Sequence, residues 1–277
     1  MLIESPHLVE PGKPIDLARA PTDARDSGVG KDEAQNLAAE HIKRIDHLQE
    51  VLYAGQKHAV LVLFQAIDAG GKDSTIRGVF ETLNPQGVSV ASFKVPTSLE
   101  LAHDYLWRYH AACPPKGHVT IFNRSHYESV LVERVKGIVP EAVWRRRYGE
   151  INEFERRLSA EGTLILKFFL HISKREQADR FRDRLKEPEK WWKFSEGDLA
   201  ERRRWDDYQA AFQDALNQCS TPWAPWYAIP ADQKWYRNLQ VAQVVRKALE
   251  SLDLQYPSPE PALAGRIAEF LDALDGD

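Results

Sequence analysis

Methionine occurs once and cysteine twice in the 277 residues. Cys113 and Cys219 stand far apart with no CxxC spacing, which excludes a disulfide framework and a clustered zinc site, so both read as plain thiols. No apolar run approaches the roughly 18 residues that a membrane span requires, and the start (MLIESPHLVEPGKPIDLARAP) lacks a basic segment followed by a hydrophobic one. A cytoplasmic chain with no membrane partner is therefore expected. Positive charge is also lacking overall: the net charge of −4 argues against a surface that attracts nucleic acid, leaving room only for a local basic groove. There is no internal repeat and no low-complexity tract. The NKxD base-recognition pattern of GTPase switches is absent as well, which sets that class aside.

What is present is an ordinary globular composition, 43% hydrophobic and 28% charged, long enough for one large domain. Residues 1–30, rich in Pro, Gly and Asp, have weak periodicity and read as an irregular extension that wraps or dangles. From Lys31 to about Ala54 apolar residues recur at helical spacing, and Gly55 is expected to end that helix. Five apolar runs read as strands: His58–Ile67, Val88–Phe93, His118–Phe122, Thr163–Ile172 and Trp226–Pro230. Helical patterns fall at 72–83, 98–110, 140–158, 198–218, 232–252 and 261–274. Alternating strands and helices imply an α/β fold with a five-stranded parallel sheet between helices. Ligands in such sheets lie beyond the carboxyl ends of the strands, so the following loops are where chemistry is sought.

The first strand runs into Ala66-Ile67-Asp68-Ala69-Gly70-Gly71-Lys72-Asp73-Ser74-Thr75 with a helix behind it, the context of a phosphate-binding P-loop. Gly70 and Gly71 permit backbone conformations in which successive N–H groups point into one concavity, and the helix dipole adds positive potential there. Lys72 is placed to reach the outer phosphates. Ala66 replaces the first Gly of the usual pattern and Asp73 the usual Ser or Thr, with Ser74 and Thr75 close by. Asp68 would repel phosphate unless a cation lay between them, which makes it a magnesium-associated residue. The third strand ends in Asn123-Arg124-Ser125-His126-Tyr127-Glu128. Arg124 offers a fork of donors to phosphate oxygens, while Asn123 and Glu128 are suited to orient a magnesium-bound water or an acceptor nucleotide. After the fourth strand, Lys174 to Lys193 hold eight Lys or Arg against five Asp or Glu. This basic helical segment can fold over bound phosphates and exclude water. The runs 145–147 and 202–204 cannot each present three arginines on one helix face and carry no such reading.

These blocks, AIDAGGKDST, NRSHYE, ADRFRDRLKEPEKWWKFSEGDL, RRRWDDYQAAF and STPWAPWYAIPADQKWYRN, resemble the polyphosphate kinase 2 family from about Lys31 to Leu252. The resemblance implies a P-loop kinase fold over 31–277 with a helical basic lid at about 174–205, usually in a homo-oligomer, a dimer or tetramer. It implies direct, reversible phosphoryl transfer between inorganic polyphosphate and AMP, ADP or ATP, with Mg2+ as cofactor and Mn2+ as a substitute. It places Asp68, Lys72, Asn123 and Arg124 at the reaction centre and matches Arg180, Arg184, Lys190 and Lys193 to the basic positions of the lid. Closure would bring Arg180 or Arg184 to the transferring group. Residues 69–75 (Ala69, Gly70, Gly71, Lys72, Asp73, Ser74, Thr75) form the phosphate cradle, with Asp68 as metal ligand and Glu128 and Arg124 toward the nucleotide. Asn123, where many members have Asp, and Glu128, where they have Asn, resemble the class III branch, which accepts AMP as well as ADP. An ATP-dependent nucleoside monophosphate kinase and a non-catalytic binding module for polyphosphate or nucleic acid are the alternatives.

Overall fold

In chain order the computed structural model contains β1 (Leu8–Val9), α1 (Lys31–Gly55), β2 (Ala59–Gln65), α2 (Lys72–Phe80), β3 (Val88–Ser92), α3 (Ser98–Leu101), α4 (Trp107–Ala111), β4 (Val119–Asn123), α5 (Val132–Val135), α6 (Glu141–Ala160), β5 (Thr163–His171), α7 (Lys174–Lys186), α8 (Glu196–Arg203), α9 (Trp205–Cys219), β6 (Trp226–Pro230), α10 (Lys234–Glu250), α11 (Pro261–Ala264) and α12 (Ile267–Asp275). Residues 2–275 are described.

The strands form one sheet in the order β1-β6-β5-β2-β4-β3, parallel throughout except for β1. β2 (AVLVLFQ) is buried along its whole length because it has a parallel neighbour on each edge and helices on both faces, which is why its sequence is a continuous apolar run rather than an alternating one. The helices α1, α2 and α10 pack together on one side, and α5, α6 and α9 on the other. The chain leaves β4 on one side of β2 and returns as β5 on the opposite side, so β2 sits at the reversal of strand order. Loops 66–71 and 124–128 therefore emerge side by side at the sheet's carboxyl edge, where α/β sheets hold ligands.

Six strands stand where five were expected. The additional one, β1, lies in the N-terminal segment that was read as irregular, and it closes the β6 edge by antiparallel pairing, Leu8 opposite Tyr227 and Val9 opposite Trp226. This segment wraps rather than dangles: Ile3, Val9 and Leu17 are buried in the main core. Tyr227 donates its hydroxyl to the Ile3 carbonyl at 3.1 Å, and the Ala228 amide donates to the His7 carbonyl at 2.9 Å. Three expected helices are divided, the one at 261–274 into α11 and α12. At 98–110 the chain breaks at Asp104, whose carboxylate accepts the Leu106 amide at 3.0 Å and so competes with the helical ladder. At 198–218 two helices, α8 and α9, meet at Arg204, whose guanidinium reaches the Val135 carbonyl. Gly55 is the last residue of α1, and the next residue, Gln56, takes the left-handed capping conformation at φ 49°. No helix among the described residues is long and apolar enough to cross a membrane.

Candidate active site

The loop joining β2 to α2 turns twice through left-handed backbone, at Ala69 (φ 60°) and Gly71 (φ 99°). A Cβ at Gly70 would lie 2.4 Å from the Ala66 Cβ and one at Gly71 would lie 2.3 Å from Arg237 Nη1, so glycine is required at Gly70 by contact and at Gly71 by its left-handed backbone as well. The Gly70 amide donates to the Ile67 carbonyl at 2.9 Å, and the Thr75 amide to Gly71 at 2.9 Å. The amides of Asp68, Ala69, Gly71, Lys72, Asp73 and Ser74 have no acceptor among the described residues. These free donors, with the first turn of α2 behind them, line a cavity of about 870 Å³.

Asp68, Lys72, Asp73, Asn123 and Arg124 line this cavity from the two loops, with Glu128 behind Arg124. Lys72 Nζ donates to the Ala66 carbonyl at 3.0 Å, which keeps two of its three protons for a ligand. Burial, reinforced by the positive charge of Arg124, lowers the Lys72 pKa. Arg124, in left-handed backbone at φ 66°, stands between two carboxylates at 3.4 Å, Asp68 and Glu128. Burial works against its charge and these two carboxylates outweigh it, so its pKa is raised. Glu128 is pushed the other way, its pKa raised by burial against the pull of Arg124. Asn123 donates through Nδ2 to Asp73 Oδ1 at 2.6 Å. An aspartate at 123 would face that carboxylate with like charge, which gives a physical reason for the amide here.

The basic segment α7 to α8 forms the opposite wall. Its two arginines behave differently. Arg180 is fixed: Nε pairs with Glu176 at 2.7 Å, Nη1 donates to the Ala69 carbonyl at 2.9 Å, and Nη2 donates to Ala231 and Asp232 carbonyls at 2.5 and 3.3 Å. It staples α7 to the loop between β2 and α2, as does Gln177, whose Nε2 donates to the Asp68 carbonyl at 2.9 Å. Arg184 is held more loosely, by the Lys193 carbonyl at 3.0 Å and by Asp198 at 4.0 Å. Around the whole cavity eight Lys or Arg face four Asp, on a chain whose net charge is −4.

A family model described as polyphosphate kinase 2 matches residues 28–257. The chain belongs to the polyphosphate kinase 2 family. It is 55% identical over 257 residues to the AMP/ADP-polyphosphate phosphotransferase of Meiothermus ruber, covering 92% of this chain and 96% of the relative. It is 45% identical over 263 residues to the ADP-polyphosphate phosphotransferase of Rhodopseudomonas palustris, covering 91% of each. The crystal structure of polyphosphate kinase 2 from Arthrobacter aurescens TC1 superposes with a TM-score of 0.89 at 39% identity, over 95% of this chain and 98% of that one.

In this polyphosphate kinase 2 chain most residues singled out from sequence meet at one place: Asp68, Ala69, Gly70, Gly71, Lys72, Asp73, Ser74, Asn123, Arg124, Arg180, Arg184, Lys190 and Lys193 all line the cavity. Thr75 does not; it is fully buried, and its hydroxyl donates to the Gly71 carbonyl at 2.9 Å, holding the loop from beneath. Glu128 stands behind Arg124 as its ion-pair partner instead of lining the wall. Lys94, Lys234, Asp183 and Asp198, which also line the cavity, were not singled out. Lys94 follows β3 and Lys234 follows β6, so the rule that ligands gather after strand ends marks both positions.

No group of three His, Cys, Asp or Glu among the described residues could enclose a metal ion. The donor set fits an ion of the magnesium type, which keeps much of its water and is carried by phosphates with one or two protein carboxylates. Asp68, with its side chain 31% exposed on the cavity, meets that requirement, and Asp73 lines the same wall.

Proposed function

We infer that this chain is a polyphosphate:nucleotide phosphotransferase on a P-loop kinase fold, moving the terminal phosphoryl group of inorganic polyphosphate to AMP and to ADP, reversibly. The observation that carries this reading is the row of six unpartnered amides beside Lys72 and Arg124 in a cavity with twice as many cations as carboxylates. Such a site suits an elongated polyanion better than a compact neutral ligand. The relatives' names, one AMP/ADP and one ADP phosphotransferase, support the nucleotide as acceptor.

In this reading the six free amides between 68 and 74 and Lys72 hold the donor's terminal phosphates, and Arg124 neutralises charge that spreads over the transferring group. The oxygen of the nucleotide's outermost phosphate attacks the terminal phosphorus of polyphosphate as the bridging P–O bond breaks, and the shortened chain leaves with the electron pair. Magnesium, held at Asp68, would supply further charge neutralisation between the phosphates. Arg180 secures the wall, and Arg184, the more loosely held of the pair, is the lid arginine that closes on the reacting phosphate. Transfer is direct: His126 is fully buried with Nε2 committed to Glu155, and His171 is 4% exposed, so neither is placed to carry a phosphoryl group.

Purified protein given AMP or ADP with magnesium should form ADP or ATP only when polyphosphate is added, followed by chromatography of the nucleotides. Formation of ADP from AMP with ATP as sole donor would favour an ATP-dependent nucleoside monophosphate kinase instead. Lys72→Met should lower kcat by about 10²- to 10³-fold, the scale of removing one preorganised donor from a developing anion.

A further inference from the structure

Arg237 stands in the last of the sequence blocks and has no part in the chemistry above. It lies on α10, 1% exposed, with its guanidinium pressed against Gly71. Nε and Nη2 both donate to a neutral acceptor, Asn238 Oδ1, at 3.1 and 2.9 Å, whereas Nη1 has no acceptor among the described residues. None of the ion pairs among the described residues includes Arg237, whereas Arg124, Arg180 and Arg184 each face a carboxylate. Burial, with the like charge of Arg180 adding to it, pulls the Arg237 pKa down to about 9. A buried cation without a counter-charge is costly, and proteins ordinarily pair it. Here it lies behind a loop of free amides at the start of α2, a nine-residue helix whose N-terminus already favours anions. An anion bound in front of the loop is the counter-charge that the free protein lacks.

We propose that Arg237 is the fixed cation behind the phosphate loop, a positioning residue that packs Gly71 into its left-handed conformation and whose charge is balanced by phosphate oxygens bound on the other side of the loop. It does not touch substrate, because Gly71 lies between. The inference rests on the reading that loop 66–74 holds the polyphosphate. Its consequence is a division between two states: Arg237 works against the empty protein and in favour of the loaded one.

The test compares wild type with Arg237→Met and Arg237→Lys, measuring the thermal midpoint with and without inorganic tripolyphosphate at constant magnesium, and kcat and KM for polyphosphate. Arg237→Met is expected to raise KM for polyphosphate about tenfold, lose most of the midpoint rise on adding tripolyphosphate, and unfold no earlier than wild type when unliganded. Arg237→Lys, which keeps the charge, is expected to recover most of the KM. An Arg237→Met protein with wild-type KM overturns the proposal, as does one whose sole change is a lower unliganded midpoint with the ligand-induced rise intact. Failure of both variants to fold would assign Arg237 to the core and overturn it too. If wild type itself gains no stability from tripolyphosphate, the loop is not the donor site and the inference falls with that reading.

Discussion

At the scale of single residues, the site is held from below by charges that never meet the cavity. Lys167 on β5 is fully buried and donates to Glu155 at 2.6 Å, Tyr127 at 2.8 Å and the Cys219 carbonyl at 2.7 Å, while Glu155 also takes His126 at 3.0 Å. His126 and Tyr127 belong to the loop that carries Arg124, so this network ties the second loop to β5 and α6. Removing one partner leaves a buried charge alone, and Lys167→Met is expected to cost about 3–5 kcal/mol in urea unfolding. The double change Lys167→Met with Glu155→Leu should restore part of that loss. The loop after β2 was legible in the sequence by its glycine pair and Lys72 between an apolar strand and a helix, and the loop after β4 by its run of polar groups. Arg237 was not: a single arginine in an amphipathic helix carries no sign of what it packs against, and only α10 lying on α2 brings it to Gly71.

At the scale of elements, β2 and β5 were readable for the same reason that they are central: both faces and both edges are covered, so nearly all of β2 and most of β5 is apolar. β1 was not readable, since two residues have no period and its existence depends on the β6 edge it covers. The N-terminal segment is fastened along its length, with the Ile15 and Leu17 amides donating to Asn217 and Gln213 at 2.7 and 3.0 Å, and Ser220 Oγ donating to the Val9 carbonyl at 2.5 Å. Deleting residues 1–12 should bare the β6 edge, lower the thermal midpoint and promote association through that edge. Calorimetry and light scattering at several concentrations would detect both effects. The helices α11 and α12 follow the expected 261–274 pattern in secondary structure, yet every described residue in them is exposed.

At the scale of the whole molecule, His7, His41, His126 and His171 all have pKa values lowered by burial, His7 from 6.5 to about 4. The unfolded chain therefore takes up protons first as the pH falls. Stability is fully present above about 6.5 and declines below it, and at pH 5 the His7 contribution alone is smaller by about 2 kcal/mol. Urea midpoints at pH 7 and pH 5 should show this, with His7→Gln narrowing the gap. The segment 182–203 has no buried residue, and α7 contributes only Gln177 and Phe181 to the interior. Its backbone protons are thus expected to trade with heavy water long before those of β2 and β5, and without any loss of the sheet. Occupying the cavity should slow that trade selectively. The same chain would then show two clocks in one mass-spectrometric experiment, a fast one for the basic wall of the cavity and a slow one for the platform beneath.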